Sequence, residues 1–320
     1  MQRVHRHRQC HPRRQSRHGA QLLGQVRDRD TYNVIFNIQP PAGQGNQMVM
    51  QGAPGYITSN MDWVVTKTGP KSGLMICETT IGGFKGKFHL DREPEFQRSR
   101  RAAQYSNTLQ EWRDQMVTTN NGGYANTWLV GDAASHEIGY LDLGSQYHEW
   151  KTTTDGYYAG YNVASLPVRN KECSDPNQYS DIRGNGSRRL RFDQLFQEHY
   201  RKVTTDVAKS IIADHYDVYN EVENAPGSRT ICGHLELDKG ETSNHGQPPY
   251  YPWGANDGKV TDSELVTSGL QFEARWGHSC DIGFDGPAFV NKHPQYSWLN
   301  GWMKKRDPQE WTRMPLPDNT

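Results

Sequence analysis

The character of the chain changes abruptly at Thr31, where a β-branched and aromatic run begins. The run Thr-Tyr-Asn-Val-Ile-Phe-Asn-Ile predicts a strand, ended by Pro40-Pro41 and the glycines at 43 and 45. Residues 47–51 and 62–66 predict further strands, and the apolar run 73–81 predicts another that leaves into a Gly82-Gly83 turn. A helix is predicted over 93–105, with Pro94 in its first turn and a polar face carrying Arg98, Arg100 and Arg101. Thr108 with Glu111 forms a capping box for a second helix, which Asn120-Asn121-Gly122-Gly123 can stop in a left-handed conformation. Residues 126–131, 137–143 and 157–161, separated by Gly- and Asp-containing turns, predict an antiparallel meander.

After a polar stretch around 168–187, helical spacing returns over 188–201 and 204–218. The second of these helices has Thr204 as N-cap and buries Val207, Ala208, Ile211, Ile212 and His215. The remainder holds the segment 257–262, a helix predicted through Arg275 and a Trp-rich tail. Strands in runs with helices grouped between them specify an α+β layered domain, and no internal repeat is visible.

Composition changes this picture at one end. The first 30 residues carry eight Arg against Asp28 and Asp30, which leaves a formal charge of −6 on the rest of a neutral 320-residue chain. They also hold four of the thirteen His and no Lys, Phe, Tyr, Trp or Ile, so they cannot build a core. Residues 1–30 are therefore expected to form a non-native, disordered basic segment, and residues 31–320 the domain. Val26 and the Leu22-Leu23 pair do not make the apolar stretch of a signal peptide, and no run is long enough to cross a bilayer. A mean hydropathy of −0.91 fits a soluble protein with extensive polar surface.

Five cysteines, Cys10, Cys77, Cys173, Cys232 and Cys280, occur without any C-x-x-C spacing. Cys232-Gly233-His234 and His278-Ser279-Cys280 offer two thiols and two imidazoles. One-residue spacers are unusual for chelation, so two buried free thiols are expected, ahead of a Cys232 to Cys280 disulfide or a zinc site. No metal and no cofactor are assigned.

Four motifs carry a resemblance. They are Gly55-Tyr56-Ile57-Thr58-Ser59-Asn60-Met61-Asp62-Trp63, the strand ending Glu78-Thr79-Thr80, the run Asn126-Thr127-Trp128-Leu129-Val130-Gly131-Asp132, and Lys259-Val260-Thr261-Asp262. In this order they resemble the phospholipase B-like family and its relatives similar to isopenicillin N acyltransferases. The resemblance covers residues 31–320. It implies a four-layer αββα fold of the N-terminal-nucleophile (Ntn) hydrolases and an N-terminal Cys, freed by autoproteolysis, that attacks an acyl amide or acyl ester carbonyl. Such chemistry needs a thiolate, a base such as the Cys α-amine, and donors for the oxyanion. The resemblance makes Asn126 the candidate oxyanion donor; the alternative is a turn cap after Gly122-Gly123. Trp63 and Trp128 are candidates for an acyl pocket or plain core, and Thr79 and Thr80 for hydrogen bonds near the nucleophile or to a turn. Arg275 is a candidate partner for a substrate carboxylate, or a surface ion-pair residue. The implied partner is a small acyl substrate, and an intact relative is expected to be secreted or periplasmic. The alternative function is a catalytically silent lipid- or acyl-binding protein.

The nucleophile itself is missing from the chain as written. Where the family has Cys-Ser, a strand and a His-Asn-x-Trp motif, this chain has the Arg/His-rich segment. Reading one nucleotide later forces TGC, a Cys codon, beneath Met1 and Gln2, and permitted codons continue as CSAFIATG. Residues 20–23 then shift into His-Asn-Ser-Trp. The expectation is an out-of-frame translation over residues 1 to about 29, against the rival of a basic arm for nucleic acid or anionic lipid. Cys10 is a poor substitute because no strand places it.

Overall fold

The computed structural model describes residues 16–20, 23–27, 34–59, 63–239 and 248–315. Two short strands come first, β1 (Arg17–Ala20) and β2 (Leu23–Gln25). They are followed by β3 (Val34–Ile38), β4 (Gln47–Gly52), β5 (Val64–Lys67) and β6 (Leu74–Thr80). The helices α1 (Glu95–Tyr105) and α2 (Leu109–Val117) precede β7 (Asn126–Asp132), β8 (Ile138–Leu143) and β9 (His148–Thr153). Strands β3 to β9 pair in chain order as one seven-stranded antiparallel sheet.

Alternation divides this sheet into two apolar faces, because successive side chains on a strand point to opposite sides. Met50, Leu74, Ile76, Trp128 and Leu141 meet Ala102 of α1 and Leu109, Trp112 and Met116 of α2. Trp112 and Trp128 pack edge to face with centroids 5.7 Å apart, and truncating a core aromatic of this kind costs about 3–5 kcal/mol. The opposite face presents Val49, Val65, Met75 and Cys77.

The rest of the chain comprises α3 (Val168–Glu172), α4 (Asn185–Glu198), α5 (Thr205–Ile212), β10 (Trp253–Ala255) and β11 (Asp257–Asp262). It continues with α6 (Ser263–Gly269), β12 (Phe272–Trp276), β13 (Phe284–Asp285), α7 (Gly286–Lys292), β14 (Lys305–Arg306) and β15 (Thr312–Met314). A second antiparallel sheet runs β1-β11-β12-β15, while β2 pairs with β10 and β13 with β14. Phe272, Ala274 and Met314 of this sheet cover the second face of the first, with Trp63 edge-on to Phe272 at 5.6 Å. Val260 on β11 packs instead against Ala208 and Ile212 of α5.

Several elements depart from the sequence reading. Residues 157–161 are not a strand; the meander ends with β9 at 148–153, and the tyrosines of 157–161 turn into a cleft. Arg98 is not on a polar face but fully buried, where Met116 O, Glu93 O and Asn120 Oδ1 accept its hydrogen bonds. Helix α5 stops at Ile212 rather than 218, because Asp214 accepts from Tyr216 N and pairs with Arg191, so His215 lies beyond the helix. Leu270 in a left-handed conformation ends α6, which puts Arg275 on strand β12 instead of a helix. The capping role of Thr108 holds: its side chain accepts from Glu111 N at 3.1 Å.

The basic segment also differs from expectation over part of its length. β1 pairs with β11 in the register His18 to Thr261, at the edge of the second sheet. Ser16 and His18 are buried, and Ser16 Oγ lies 2.9 Å from Ser263 Oγ. The pairing is possible because a strand edge recruits any chain through backbone groups, whatever its side chains. Cys10 and Gln21-Leu22 of the shifted motif lie outside the described residues, as do Asn60, Met61 and Asp62.

Burial pushes the His18 imidazole down to about 4, because a charged ring there would be taken from water without a partner. The folded value lies below the unfolded one, so this contribution is present above about pH 6.5 and is lost as pH falls toward 4. The loss amounts to about 3 kcal/mol. Amide exchange at Gly19 and Val260 is expected to accelerate over that window in the wild-type chain and not in His18→Leu. Equal pH profiles in the two chains would mean that β1 does not dock this way.

Candidate active site

A cleft of about 670 Å³ opens at one end of the space between the two sheets. Cys77 and Thr79 of β6 and Leu129 of β7 form one wall, and Arg17 and His18 of β1 with Lys259 of β11 form another. Arg188 and Phe192 of α4 and the loop 154–162 close the third side. Tyr157 stacks on Phe196 with centroids 4.5 Å apart, which gives this side an aromatic surface able to hold an apolar chain. The loop is tied down through Asp142, which accepts from Thr127 Oγ1 at 2.5 Å and from Ser165 N, and burial raises its carboxyl above the usual range.

Three groups give the cleft its chemistry. Arg188 is buried, with Asn185 Oδ1 accepting from Nη2 at 2.6 Å and Nε without a hydrogen bond. No carboxylate pairs with it among the described residues, and burial lowers its guanidinium to about 10. An uncompensated buried cation beside a cleft is an anion site, since a carboxylate or phosphate entering there relieves the cost of desolvation. Thr79 Oγ1 is likewise buried without a partner. Asn162 sits in the left-handed region at φ 62°, and its Nδ2 donates to Thr80 O at 2.8 Å, fixing a side-chain amide at the cleft wall. Lys259 is buried but neutralised by Asp257 Oδ1 at 2.6 Å.

The residues singled out in the sequence separate in space. Thr79 and Thr80 border the cleft, whereas Asn126, Trp63, Trp128 and Arg275 do not line it. Asn126 opposes Thr80 on the face shared with Trp128 and Val130, and its Nδ2 donates to Glu78 Oε2 at 2.7 Å. Trp128 belongs to the core under α2 and Trp63 to the core between the sheets. Arg275 donates to Ser279 O and Asp281 Oδ1 and borders a separate depression beside Cys280. Asn162 and Arg188 were not singled out. Phase along β7 could have excluded Asn126, because it is in step with Trp128 and Val130, but nothing local in the sequence marks Asn162.

Residues 25–141 match the family described as Phospholipase B. Phospholipase B-like protein F of Dictyostelium discoideum is 30% identical over 99 residues, covering 30% of this chain and 17% of that protein's length. Among solved structures, a variant of conjugated bile acid hydrolase from Clostridium perfringens aligns over 83% of this chain and 82% of its own, with 7% identity and a TM-score of 0.40. The part of the chain that carries most of the seven-stranded sheet and its two helices is thus similar to the phospholipase B-like family, and the chain spans less than a fifth of the length of the curated relative it matches.

Proposed function

We propose that this chain derives from a hydrolase or acyltransferase of acyl amide or acyl ester bonds whose nucleophile was an N-terminal Cys, and that it is inactive as written. The observation that carries the proposal is the cleft bordered by the edge strand β1. It joins an aromatic surface, an unpaired buried guanidinium and an oriented amide, but the one thiol facing it among the described residues is Cys77. Cys77 lies buried within β6, and a thiol buried among apolar groups is inert. The similarity of residues 25–141 to the Phospholipase B family supports the acyl-bond reading, and the packing of α1 and α2, two sheets and α5 in succession supports the four-layer αββα fold. In this reading the out-of-frame segment has taken part of the place of the original strands, leaving β1 as the edge at the cleft.

In the intact enzyme the Cys α-amine removes the thiol proton, and the thiolate attacks the acyl carbonyl. Asn162 Nδ2 donates to the resulting oxyanion, and Arg188 binds the anionic part of the substrate. Asn126 does not touch the substrate but holds the cleft-lining Glu78 in place. Restoring the shifted frame, so that the mature chain begins CSAFIATG and rejoins the written sequence near Asp30, is expected to produce turnover of acyl-amide or acyl-ester substrates that the written chain lacks. Equal activity in both chains would place the nucleophile elsewhere. Acyl binding without turnover in a matured repaired chain would favour the silent binding protein instead.

A further inference from the structure

Away from the cleft, three loop segments bring together His215, from just beyond α5, Cys232 and His234, and Cys280, from the turn after β12. We propose that these four side chains form a structural zinc site. Their ligand atoms all lie within 4.8 Å of one another. His215 Nε2 is 3.2 Å from His234 Nε2, and the sulfurs of Cys232 and Cys280 are each 3.4 Å from His234 Nε2. Zinc bonds of about 2.0–2.1 Å to nitrogen and 2.3 Å to sulfur, arranged tetrahedrally, require edges of about 3.3 Å between nitrogens and 3.5 Å between nitrogen and sulfur. All three distances fit one tetrahedron around a common centre.

The hydrogen bonds behind the ligands fix which atoms face that centre. Glu236 Oε1 accepts from His234 Nδ1 at 2.8 Å, and Asn224 Oδ1 accepts from His215 Nδ1 at 3.3 Å. Each ring therefore directs its Nε2 inward, toward the other Nε2 and two sulfurs, as ligand atoms face an ion. The arrangement is also buried: Cys232 and His234 have no exposed surface and Cys280 is 7% exposed. A carboxylate behind a ligating His is the usual device for orienting such a ring.

Charge closes as well. Two thiolates balance a divalent ion, and Ile282 N donates to Cys280 Sγ at 3.4 Å, as a thiolate requires. Glu236 is matched by His278, whose Nε2 lies 2.8 Å from its Oε1 and whose Nδ1 lies 2.8 Å from Ile282 O. The two cysteines are not joined in a disulfide. The soft N₂S₂ donor set selects zinc over calcium or magnesium, and four protein ligands leave no open position for catalysis. The ion would fasten three segments that have little regular structure of their own. The expectation of two unliganded thiols came from the short spacers alone and did not include the third imidazole, His215.

The test is the metal content of the full chain purified from zinc-supplemented medium, read by mass spectrometry, together with X-ray absorption at the zinc edge. One zinc per chain with two sulfur and two nitrogen neighbours is expected, and cobalt replacement should give the intense visible bands of a tetrahedral thiolate complex. Glu236→Gln should weaken zinc about 10- to 100-fold. His215→Ala, at the half-buried ligand, should fold yet fail to give the four-ligand cobalt spectrum. Less than about one zinc per ten chains, with both cysteines titrating as thiols or found as a disulfide, would overturn the site. So would an unchanged metal affinity in His215→Ala. If Cys232→Ser or Cys280→Ser fails to fold, the zinc content and absorption spectrum of the unaltered chain still decide.

Discussion

In the frame-restored protein, Asn162→Ala is expected to lower kcat about 10²- to 10³-fold, while Asn126→Ala leaves kcat within about threefold and lowers stability instead. The first figure is the usual consequence of removing one preorganised oxyanion donor. Asn162 is suited to that role because its amide borders the cleft and is held by Thr80 O, so it need not reorganise as charge develops. Asn126 does not line the cleft but donates to the half-buried Glu78, and losing it leaves that carboxylate one donor short. That deficit costs about 1–3 kcal/mol and reads out as a lower Tm. Steady-state kinetics and thermal melts on the two variants separate the roles. A kcat loss of 10²-fold in Asn126→Ala with Asn162→Ala unaffected would reverse the assignment and restore the donor first read from the sequence.

The comparison of these two asparagines shows what a sequence can and cannot convey about such a site. The seven-stranded meander was largely legible, because segments such as 47–52 and 126–132 alternate faces and end at Gly, Asn or Asp. Both helices between β6 and β7 were legible from Thr108 and the Pro94 start. Residues 157–161 mimic a strand because tyrosines favour sheets, yet here they line a cleft and pair with no neighbouring strand. Arg98 read as solvated because a lone Arg on a helix usually is; its partners Met116, Glu93 and Asn120 come from other segments. The cleft residues Thr79, Asn162 and Arg188 lie on a strand, a loop and a helix. Only the folded chain brings them together. The same holds for His215, which joins the Cys232 and Cys280 segments across a long stretch of chain.

Arg188→Met is expected to raise Tm by a few degrees in either chain while lowering kcat/KM of the repaired enzyme about 10- to 100-fold on anionic acyl substrates. The two effects have one cause. The guanidinium is buried without a carboxylate, and the fall of its pKa from 12.5 to about 10 corresponds to a desolvation cost on the order of 3 kcal/mol. Met fills much of the same volume without that charge, so the cost disappears; the cleft-side hydrogen bond to Asn185 is lost and offsets part of the gain. A net gain of about 1 kcal/mol moves Tm by roughly 2–4 °C in a domain of 150–250 residues, and by less in a larger chain. The affinity loss follows because a hydrogen bond to a charged group contributes about 1.5–3 kcal/mol. Neutral acyl substrates should lose far less, since they never met the guanidinium as an ion. Thermal melts of wild type and variant, with paired anionic and neutral substrates, measure both halves. A drop in Tm of more than about 5 °C with kinetics unchanged on both substrates would make Arg188 a fastening of the 157–161 loop to α4, through Tyr161 O and Asn185, and would remove the anion from the proposed substrate.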